Sequence, residues 1–219
     1  MKIGILGAGF IGRALATLAT NAGHEVMVSN SRGPETLSST VAAIGCRAGT
    51  AQQAAEFGDV VVVAVPLRNY SALPYAALNG KIVIDTCNYY PQRDGHIGAL
   101  DRHDTTTSEL IAGQLLGARV VKASNAILAK DLDTDGKVPG TADRRALPMA
   151  GDDEKAKCVV AELMDQFGFD TVDVCALSVG WRFERAKPSY CIRLTRAELE
   201  QKLAEAQRDV ELPHGSWRH

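Results

Sequence analysis

Short apolar runs alternate with longer mixed segments along most of the chain. Six runs are too short for a helix and dense in Val, Ile or Leu, at residues 2–6, 24–30, 59–66, 81–88, 118–125 and 145–151. Such runs are typical of strands that are buried on both faces. Helical segments rich in Ala or Leu lie between them, including 10–22, 50–57, 108–116 and 153–167. The alternation predicts an α/β fold with a doubly wound, mostly parallel sheet.

The final third of the chain breaks this pattern. An irregular stretch follows residue 174, and Thr195 and Glu198 then open a last helix with the spacing of a capping box. Four apolar residues fall on one face beyond that cap: Leu199, Leu203, Ala206 and Val210. We predict a main domain over 1–174 and a small C-terminal helical extension over 175–219, which packs on the sheet or on a second subunit.

The turn after the first apolar run carries glycines at fixed spacing, in Gly7-Ala8-Gly9-Phe10-Ile11-Gly12. A strand precedes the turn and a helix follows it, as in the dinucleotide-binding Rossmann fold. There the first glycine permits a tight turn, the second lets the backbone approach a pyrophosphate, and the third lets helix and strand pack closely. The amino terminus of the helix attracts the phosphates. We therefore predict that residues 1–174 form a Rossmann domain.

The residues after the second strand indicate which dinucleotide is bound. Many such folds place an Asp or Glu there to bind the ribose hydroxyls of NAD, whereas this chain has Asn30, Ser31 and Arg32. A guanidinium can bind a 2′-phosphate through charge-assisted hydrogen bonds, with help from the hydroxyl of Ser31 and the amide of Asn30. Thr36 adds a hydroxyl at the start of the next helix. A solvated polar turn is the alternative, but its position in the fold favours NADP(H) as the cofactor.

Three later strand ends are expected to surround the nicotinamide. Pro66, which lacks an N–H, ends its strand and directs the chain outward. Side chains of Asn88 and Asn125 can orient the carboxamide, although Asn is also common in turns. The predicted contacts at this end are Val65, Pro66, Leu67, Asn88, Ala123, Asn125 and Ala126.

No convincing catalytic acid or base is present in the sequence. No Tyr stands four positions before a Lys, and none of the five histidines falls at a predicted strand end. Lys122 and Asn125 have the residue types of a hydroxyacid dehydrogenase pair, but a spacing of three on a strand points them to opposite faces. Since a carbinol substrate needs a base, we predict no catalytic side chain and an acceptor that manages its own protons, such as a flavin or deazaflavin.

The composition argues against several kinds of binding partner. With 24 basic and 26 acidic residues, the net charge of −2 argues against nucleic acid. Five scattered cysteines form no CxxC pair, and 131–136 (DLDTDG) lacks the final Glu of a calcium loop, so we expect no metal site and a polar surface loop at 131–136. No stretch is long and apolar enough to cross a membrane. We expect a cytoplasmic protein that binds neither membrane nor nucleic acid.

Several of these segments together resemble the NADPH-dependent coenzyme F-420 reductases, in particular a bacterial subgroup, and more distantly the reductase domain of the STEAP metalloreductases. The resemblance rests on the glycine turn, Ser31-Arg32, Val65-Pro66, the 120–127 segment VVKASNAI, and 181–190 (WRFERAKPSY). It implies a homodimer with NADP(H) stacked against a redox acceptor, F-420, FMN or FAD, in an apolar cleft. Ser124 stands where many relatives have Phe, and LSVGW (177–181) replaces their usual ESW just before Trp181.

Three functions remain open at this point. The first is hydride transfer between NADP(H) and a deazaflavin or flavin acceptor. The second is reduction of ferric or cupric chelates through a loosely held flavin. The third is a non-catalytic protein that binds NADP(H) and senses its redox state. The missing base is compatible with all three. Two roles also remain open for the segment that contains Trp181, Arg182 and Arg185. These residues either contact a ligand, or form a structural aromatic residue with flanking cations.

Overall fold

A computed structural model of the protein describes residues 1–213 and 215. Eight strands form one sheet in the order β3-β2-β1-β4-β5-β6-β7-β8. Their bounds are β1 Lys2–Leu6, β2 Glu25–Ser29, β3 Arg47–Ala48, β4 Val60–Val63, β5 Ile82–Asp85, β6 Arg119–Lys122, β7 Ala146–Gly151 and β8 Asp170–Asp173. All neighbouring strands are parallel except β6 and β7. The predicted doubly wound, mostly parallel sheet is therefore confirmed.

Ten α-helices connect and cover the strands within the described residues. Their bounds are α1 Phe10–Asn21, α2 Ser38–Ile44, α3 Ala51–Phe57, α4 Tyr75–Leu78, α5 Pro91–Asp94, α6 Gly98–Asp101, α7 Thr107–Ala112, α8 Ala129–Thr134, α9 Glu154–Gln166 and α10 Arg196–Glu205. Short 3-10 segments span Pro34–Leu37, Leu67–Ala72 and Leu177–Phe183. Each predicted helix is present, with ends shifted by up to a few residues.

The central strands are apolar throughout because both faces of the sheet are buried. In β4, Val60 and Val62 pack into the hydrophobic cluster that includes α1 and α9, whereas Val61 and Val63 pack into the cluster on the opposite face. Successive side chains of a strand point to opposite faces, so a doubly covered strand needs an apolar residue at every position. Because β1, β4, β5 and β6 are parallel neighbours, their carboxyl ends lie at one edge of the sheet.

A third hydrophobic cluster joins the C-terminal extension to β7 and β8. Leu199 and Leu203 of α10 are buried in it, and the predicted capping box of Thr195 and Glu198 is present. The predicted apolar stripe is wrong at Val210, which is half exposed because α10 ends at Glu205. The end of the predicted extension, at positions 214 and 216–219, lies outside the described residues.

The segment 131–136 also differs from its predicted form as a surface loop. Its first four residues belong to α8, and the carboxylates of Asp131 and Asp135 lie 3.1 and 2.8 Å from the buried guanidinium of Arg145. A fully buried arginine needs such paired charges because an unpaired buried cation is costly. The acidic pattern therefore serves packing between α8 and the start of β7.

Candidate dinucleotide and acceptor site

The glycine turn after β1 is shaped by two close backbone approaches. Gly7 has a φ of +111°, and its N–H donates to the Ser29 carbonyl oxygen at 3.0 Å. A side chain at Gly7 would collide with the Ala64 carbonyl oxygen, and one at Gly12 would collide with the Gly7 carbonyl oxygen. Only glycine fits such positions. The turn therefore holds β1, β4 and α1 in tight contact.

Gly9 differs from these two glycines, since no atom lies within 4 Å of where its Cβ would be. It is the residue just before α1, and its missing side chain leaves the amino terminus of that helix open. A pyrophosphate fits this cradle because free backbone N–H groups and the helix dipole both favour an anion there. The close approaches at Gly7 and Gly12 agree with their predicted packing roles, whereas the pyrophosphate contact of Gly9 stays a prediction.

A cavity of about 670 Å³ extends from the glycine turn to the end of β2. Asn30, Ser31 and Arg32 line one side, and Leu73 and Pro74 line another. Arg32 is exposed, and its guanidinium forms no ion pair with any residue of 1–213 or 215. An unpaired cation beside a hydroxyl at this position fits an adenosine ribose that carries a 2′-phosphate.

Two of the predicted phosphate contacts instead hold the shape of this turn. The Arg32 N–H donates to Asn30 Oδ1 at 3.0 Å, and Asn30 Nδ2 donates to Thr36 Oγ1 at 2.8 Å. Thr36 in turn donates to the Gly33 carbonyl oxygen at 2.8 Å and does not line the cavity. Asn30 and Thr36 therefore position Ser31 and Arg32.

A second cavity, of about 700 Å³, continues from the first along the carboxyl edge of the sheet. Both cavities are lined by Gly9, Ala64, Val65 and Pro66, so they meet at the end of β4. The second cavity also contains Phe10, Ile11, Asn88 and Asn125 of the predicted site. One elongated ligand can span both cavities, as a dinucleotide does across the carboxyl ends of such a sheet.

Asn88 and Asn125 form one unit at the floor of the second cavity. Asn88 Nδ2 donates to the Asn125 carbonyl oxygen at 2.9 Å, and Asn125 Nδ2 donates to Asn88 Oδ1 at 3.1 Å and to the Phe183 carbonyl oxygen at 3.0 Å. Asn125 Oδ1 is buried and has no hydrogen-bond partner among the described residues. A buried acceptor without a donor is costly, and it fits the amide N–H of a nicotinamide carboxamide.

Three predicted contacts lie away from both cavities. Leu67, Ala123 and Ala126 are buried in the hydrophobic clusters and line neither cavity. Gly12 also lies outside the lining and acts through the close packing of α1 on β1. Proximity in sequence to a strand end did not distinguish side chains that turn into the core from those that face the cleft.

Several cavity residues had no signal in the sequence. Tyr90 and Tyr190 line the second cavity, and their hydroxyl oxygens lie 2.5 Å apart. Burial, then neighbouring Cys191 and Tyr90, raises the pKa of Tyr190, which keeps it neutral. The Arg93 guanidinium lies 4.6 Å from the Tyr90 ring and donates to the Asn88 carbonyl oxygen at 2.9 Å. In the sequence, only the pair Tyr89-Tyr90, shortly after the end of β5, could have indicated this cluster.

A fully buried lysine supports the second cavity from behind. Lys122 Nζ donates to the Cys87 carbonyl oxygen at 3.0 Å and to Ser108 Oγ at 3.1 Å, and it lies 3.8 Å from Asp85 and 3.5 Å from Glu184. β6 ends at Lys122, so Asn125 lies beyond the strand and the predicted alternation of faces does not apply to this pair. Lys122 links the β5 and β6 strand ends to the C-terminal extension and does not line the cavity.

The aromatic and basic residues near the C-terminal extension form packing contacts. The Arg182 guanidinium lies 4.8 Å from the Trp181 ring and donates to the Leu203 carbonyl oxygen at 2.9 Å. Arg185 donates to the Tyr89 carbonyl oxygen at 3.2 Å and pairs with Glu211. None of these three predicted candidates lines either large cavity.

Two further observations concern ligands and membranes. Within residues 1–213 and 215, no three His, Cys, Asp or Glu side chains are grouped as metal ligands. Over the same residues, no helix has both the length and the apolar character needed to span a bilayer.

The fold and the glycine turn define the class of protein, a dinucleotide-binding protein built on a Rossmann sheet. The profile described as "NADP oxidoreductase coenzyme F420-dependent" matches residues 2–89. The chain belongs to this family of coenzyme F-420-dependent NADP oxidoreductases.

Individual relatives agree with this placement. The chain is 31% identical over 179 residues to the metalloreductase STEAP3 of Rattus norvegicus, covering 81% of this chain and 34% of that protein. It therefore spans about a third of the length of that relative. A hypothetical protein, SMa0349, from Sinorhizobium meliloti is 31% identical with a TM-score of 0.76, over 90% of this chain and 95% of that one. A candidate F420-dependent NADP reductase from Arthrobacter sp. FB24 is 27% identical with a TM-score of 0.71, over 82% and 87%.

Proposed function

We propose that the protein transfers a hydride between NADP(H) in the first cavity and a deazaflavin or flavin ring in the second. The observation that carries this proposal is the continuity of the two cavities at Ala64, Val65 and Pro66. A nicotinamide held at that junction faces a space large enough for a tricyclic ring. NADPH supplies a hydride when bound, and the protein contributes orientation and exclusion of water.

The lining of the second cavity supports an acceptor that needs no protein base. Among residues 1–213 and 215, no His, Asp or Glu lines this cavity. Burial, followed by the neighbouring Asp85, raises the pKa of Cys87, and burial raises that of Cys191 to about 12. With Tyr190 also held neutral, these groups bear no negative charge at neutral pH and are poor proton acceptors. A carbinol substrate would find no carboxylate or imidazole base in the described lining, whereas a flavin-type ring accepts a hydride directly.

The chain's own residues then have distinct tasks. Ser31 and Arg32 bind the 2′-phosphate, the Gly9 cradle binds the pyrophosphate, and Asn88 with Asn125 orients the carboxamide. Pro66 separates the nucleotide from the acceptor space at the end of β4. A homodimer and a cytoplasmic location are part of the same proposal.

Reduction of ferric or cupric chelates through a bound flavin is the second candidate, favoured by the 31% identity to a metalloreductase. It uses the same NADP(H) site and the same ring cavity, and differs in the fate of the electrons. An NADP(H) sensor without turnover is the third candidate, and it needs no ring in the second cavity.

Stopped-flow measurement of NADPH oxidation tests the proposal. We expect oxidation with F-420, FMN or FAD as the sole acceptor, in the absence of metal chelates, and no oxidation with simple alcohol or ketone substrates. Oxidation that requires both a flavin and ferric citrate would favour the metalloreductase. Tight NADP binding without oxidation by any acceptor would contradict both enzyme proposals and favour the sensor.

A further inference from the structure

We propose that a groove beside the second cavity binds an anionic arm, phosphate or carboxylate, on the redox acceptor. This inference rests on the proposed function, because it extends the acceptor site. The groove has a volume of about 510 Å³ and lies between α1, α2 and α8. It shares Phe10, Ala129 and Lys130 with the second cavity, so the two spaces adjoin and one ligand can extend over both.

Unpaired cations give the groove its charge. Arg13 on α1 and Lys130 on α8 both line it and are exposed. Neither forms an ion pair within 4 Å with any residue of 1–213 or 215, whereas the nearby Arg144 and Arg145 each pair with two carboxylates. Asp133 is the acidic residue in the lining. Two free cations against one carboxylate, on a chain of net charge −2, form a local site for an anion.

Hydroxyl groups complete the opposite wall. Ser39 and Thr40 of α2 line the groove, and their side chains make no hydrogen bond to another described residue. Hydroxyl donors next to a guanidinium and an ammonium are the groups that bind phosphate or carboxylate oxygens in proteins. The groove therefore offers both charge and hydrogen-bond donors.

Phe10 marks the boundary between the groove and the second cavity. Its side chain is 78% exposed, which is unusual for so large an apolar residue, and its ring lies 5.3 Å from the Arg13 guanidinium. The contact holds Arg13 at the junction. An exposed aromatic face at the exit of a ring-binding cavity can also pack against the linker between the ring and its arm.

The groove is separate from the phosphates of NADP. None of its lining residues lines the first cavity, where Ser31 and Arg32 lie. It meets the acceptor side of the cleft only through α1 and α8. An anion bound there therefore belongs to the acceptor and not to the 2′-phosphate end of the nucleotide.

Riboflavin and FMN provide the test, since they share one ring and differ by a phosphate on the arm. Fluorescence titration of both into the NADP-saturated protein at low ionic strength should show FMN binding about tenfold more tightly. The double variant Arg13→Gln, Lys130→Gln should bind the two alike. The matched double variant Arg196→Gln, Lys155→Gln removes two exposed cations that form no ion pair among the described residues and lie outside the groove. It should keep the preference.

Three outcomes overturn the inference. They are equal affinities in the unchanged protein, a preference that survives in the groove variant, and binding of neither flavin. Inorganic phosphate is titrated alone as a further arm. If it binds the unchanged protein but not the groove variant, while FMN and riboflavin bind alike, the groove is a free-anion site and the inference is wrong. A phosphate preference without NADPH oxidation would instead contradict only the proposed hydride transfer.

Discussion

The two ends of the cleft are built in different ways. At the proposed adenosine end, Ser31 and Arg32 come two and three residues after the end of β2, and one turn held by Asn30 presents both. At the proposed acceptor end, the lining comes from the ends of β4, β5 and β6, from α8, and from Tyr190 in the C-terminal extension. The first end is a local feature of sequence, whereas the second exists only after distant segments pack together.

The largest expected effect is a loss of folding stability, at the buried residues behind the second cavity. Replacing the buried Lys122 by Met leaves the carboxylates of Asp85 and Glu184 without their cation, so we expect the free energy of unfolding to fall by about 3–5 kcal/mol. Lys130→Met, on the exposed surface of α8, is the matched control and should change it by less than about 0.5 kcal/mol. Urea unfolding measures both. Equal effects would mean that the buried network does not support the cleft.

Substitutions at two glycines of the turn should distinguish an effect on folding stability from an effect on NADPH binding. A methyl group at Gly12 collides with the Gly7 carbonyl oxygen, so Gly12→Ala should cost about 2–3 kcal/mol and lower the Tm by roughly 5–10 °C. Gly9→Ala has open space, so it should leave the Tm unchanged and weaken NADPH binding. Thermal unfolding with a parallel NADPH titration tests this. A stable Gly12→Ala variant with normal affinity would contradict the packing described for α1 and β1.

Asn125 should affect both nucleotides alike. Asn125→Ala removes the hydrogen bonds to Asn88 and the Phe183 carbonyl, together with the buried Oδ1 that has no partner among the described residues. We expect about tenfold weaker binding of NADPH and of NADH, because the nicotinamide is common to both. Titration of the two nucleotides into the variant measures this. A loss confined to NADPH would break the assignment of the two ends.

The smallest effect concerns Asp94, which holds the loop of Tyr90. Burial acts to raise the Asp94 pKa, but hydrogen bonds from Arg93, the Tyr90 N–H and the Arg68 N–H outweigh it and keep the pKa below its usual range. A lowered pKa in the folded state means that this contribution is present above the unfolded pKa, about 3.9, and is lost as the pH falls through the folded value.

Asp94→Asn should therefore lower the free energy of unfolding by about 1 kcal/mol at pH 7. The difference from the unchanged protein should shrink as the pH is lowered through and below 4. Urea unfolding at several pH values measures this difference. A difference that stays constant over this pH range would show that the Asp94 charge makes no contribution.

Much of the fold could be predicted because both sheet faces are buried, so the strands carry apolar residues at every position. Two edge strands, β3 and β8, were not among the predicted runs. β3 has only two residues, and β8 buries only Val172 among its four, so neither forms an apolar run. The antiparallel direction of β7 also carries no local signal, because an apolar run reads the same in either direction. Direction is fixed by the connection through α8, which only the tertiary structure shows.

The candidate site also has a part that local sequence could predict and a part that only the tertiary structure shows. Gly9, Pro66, Asn88 and Asn125 were predicted at strand ends and line the second cavity. Leu67 was predicted beside them but is buried in the core, because the 3-10 segment that begins at Leu67 turns its side chain inward. The contact between Tyr90 and Tyr190 spans a hundred positions, so no spacing in the sequence could indicate it.

The central claim is that the guanidinium of Arg32 and the hydroxyl of Ser31 select NADP(H) through its 2′-phosphate. Calorimetric titration of NADPH and NADH into the unchanged protein and into Arg32→Ala tests it most directly. We predict that the variant loses about 10- to 100-fold in affinity for NADPH and less than about threefold for NADH. Equal losses for the two nucleotides, or no loss for NADPH, would contradict the account.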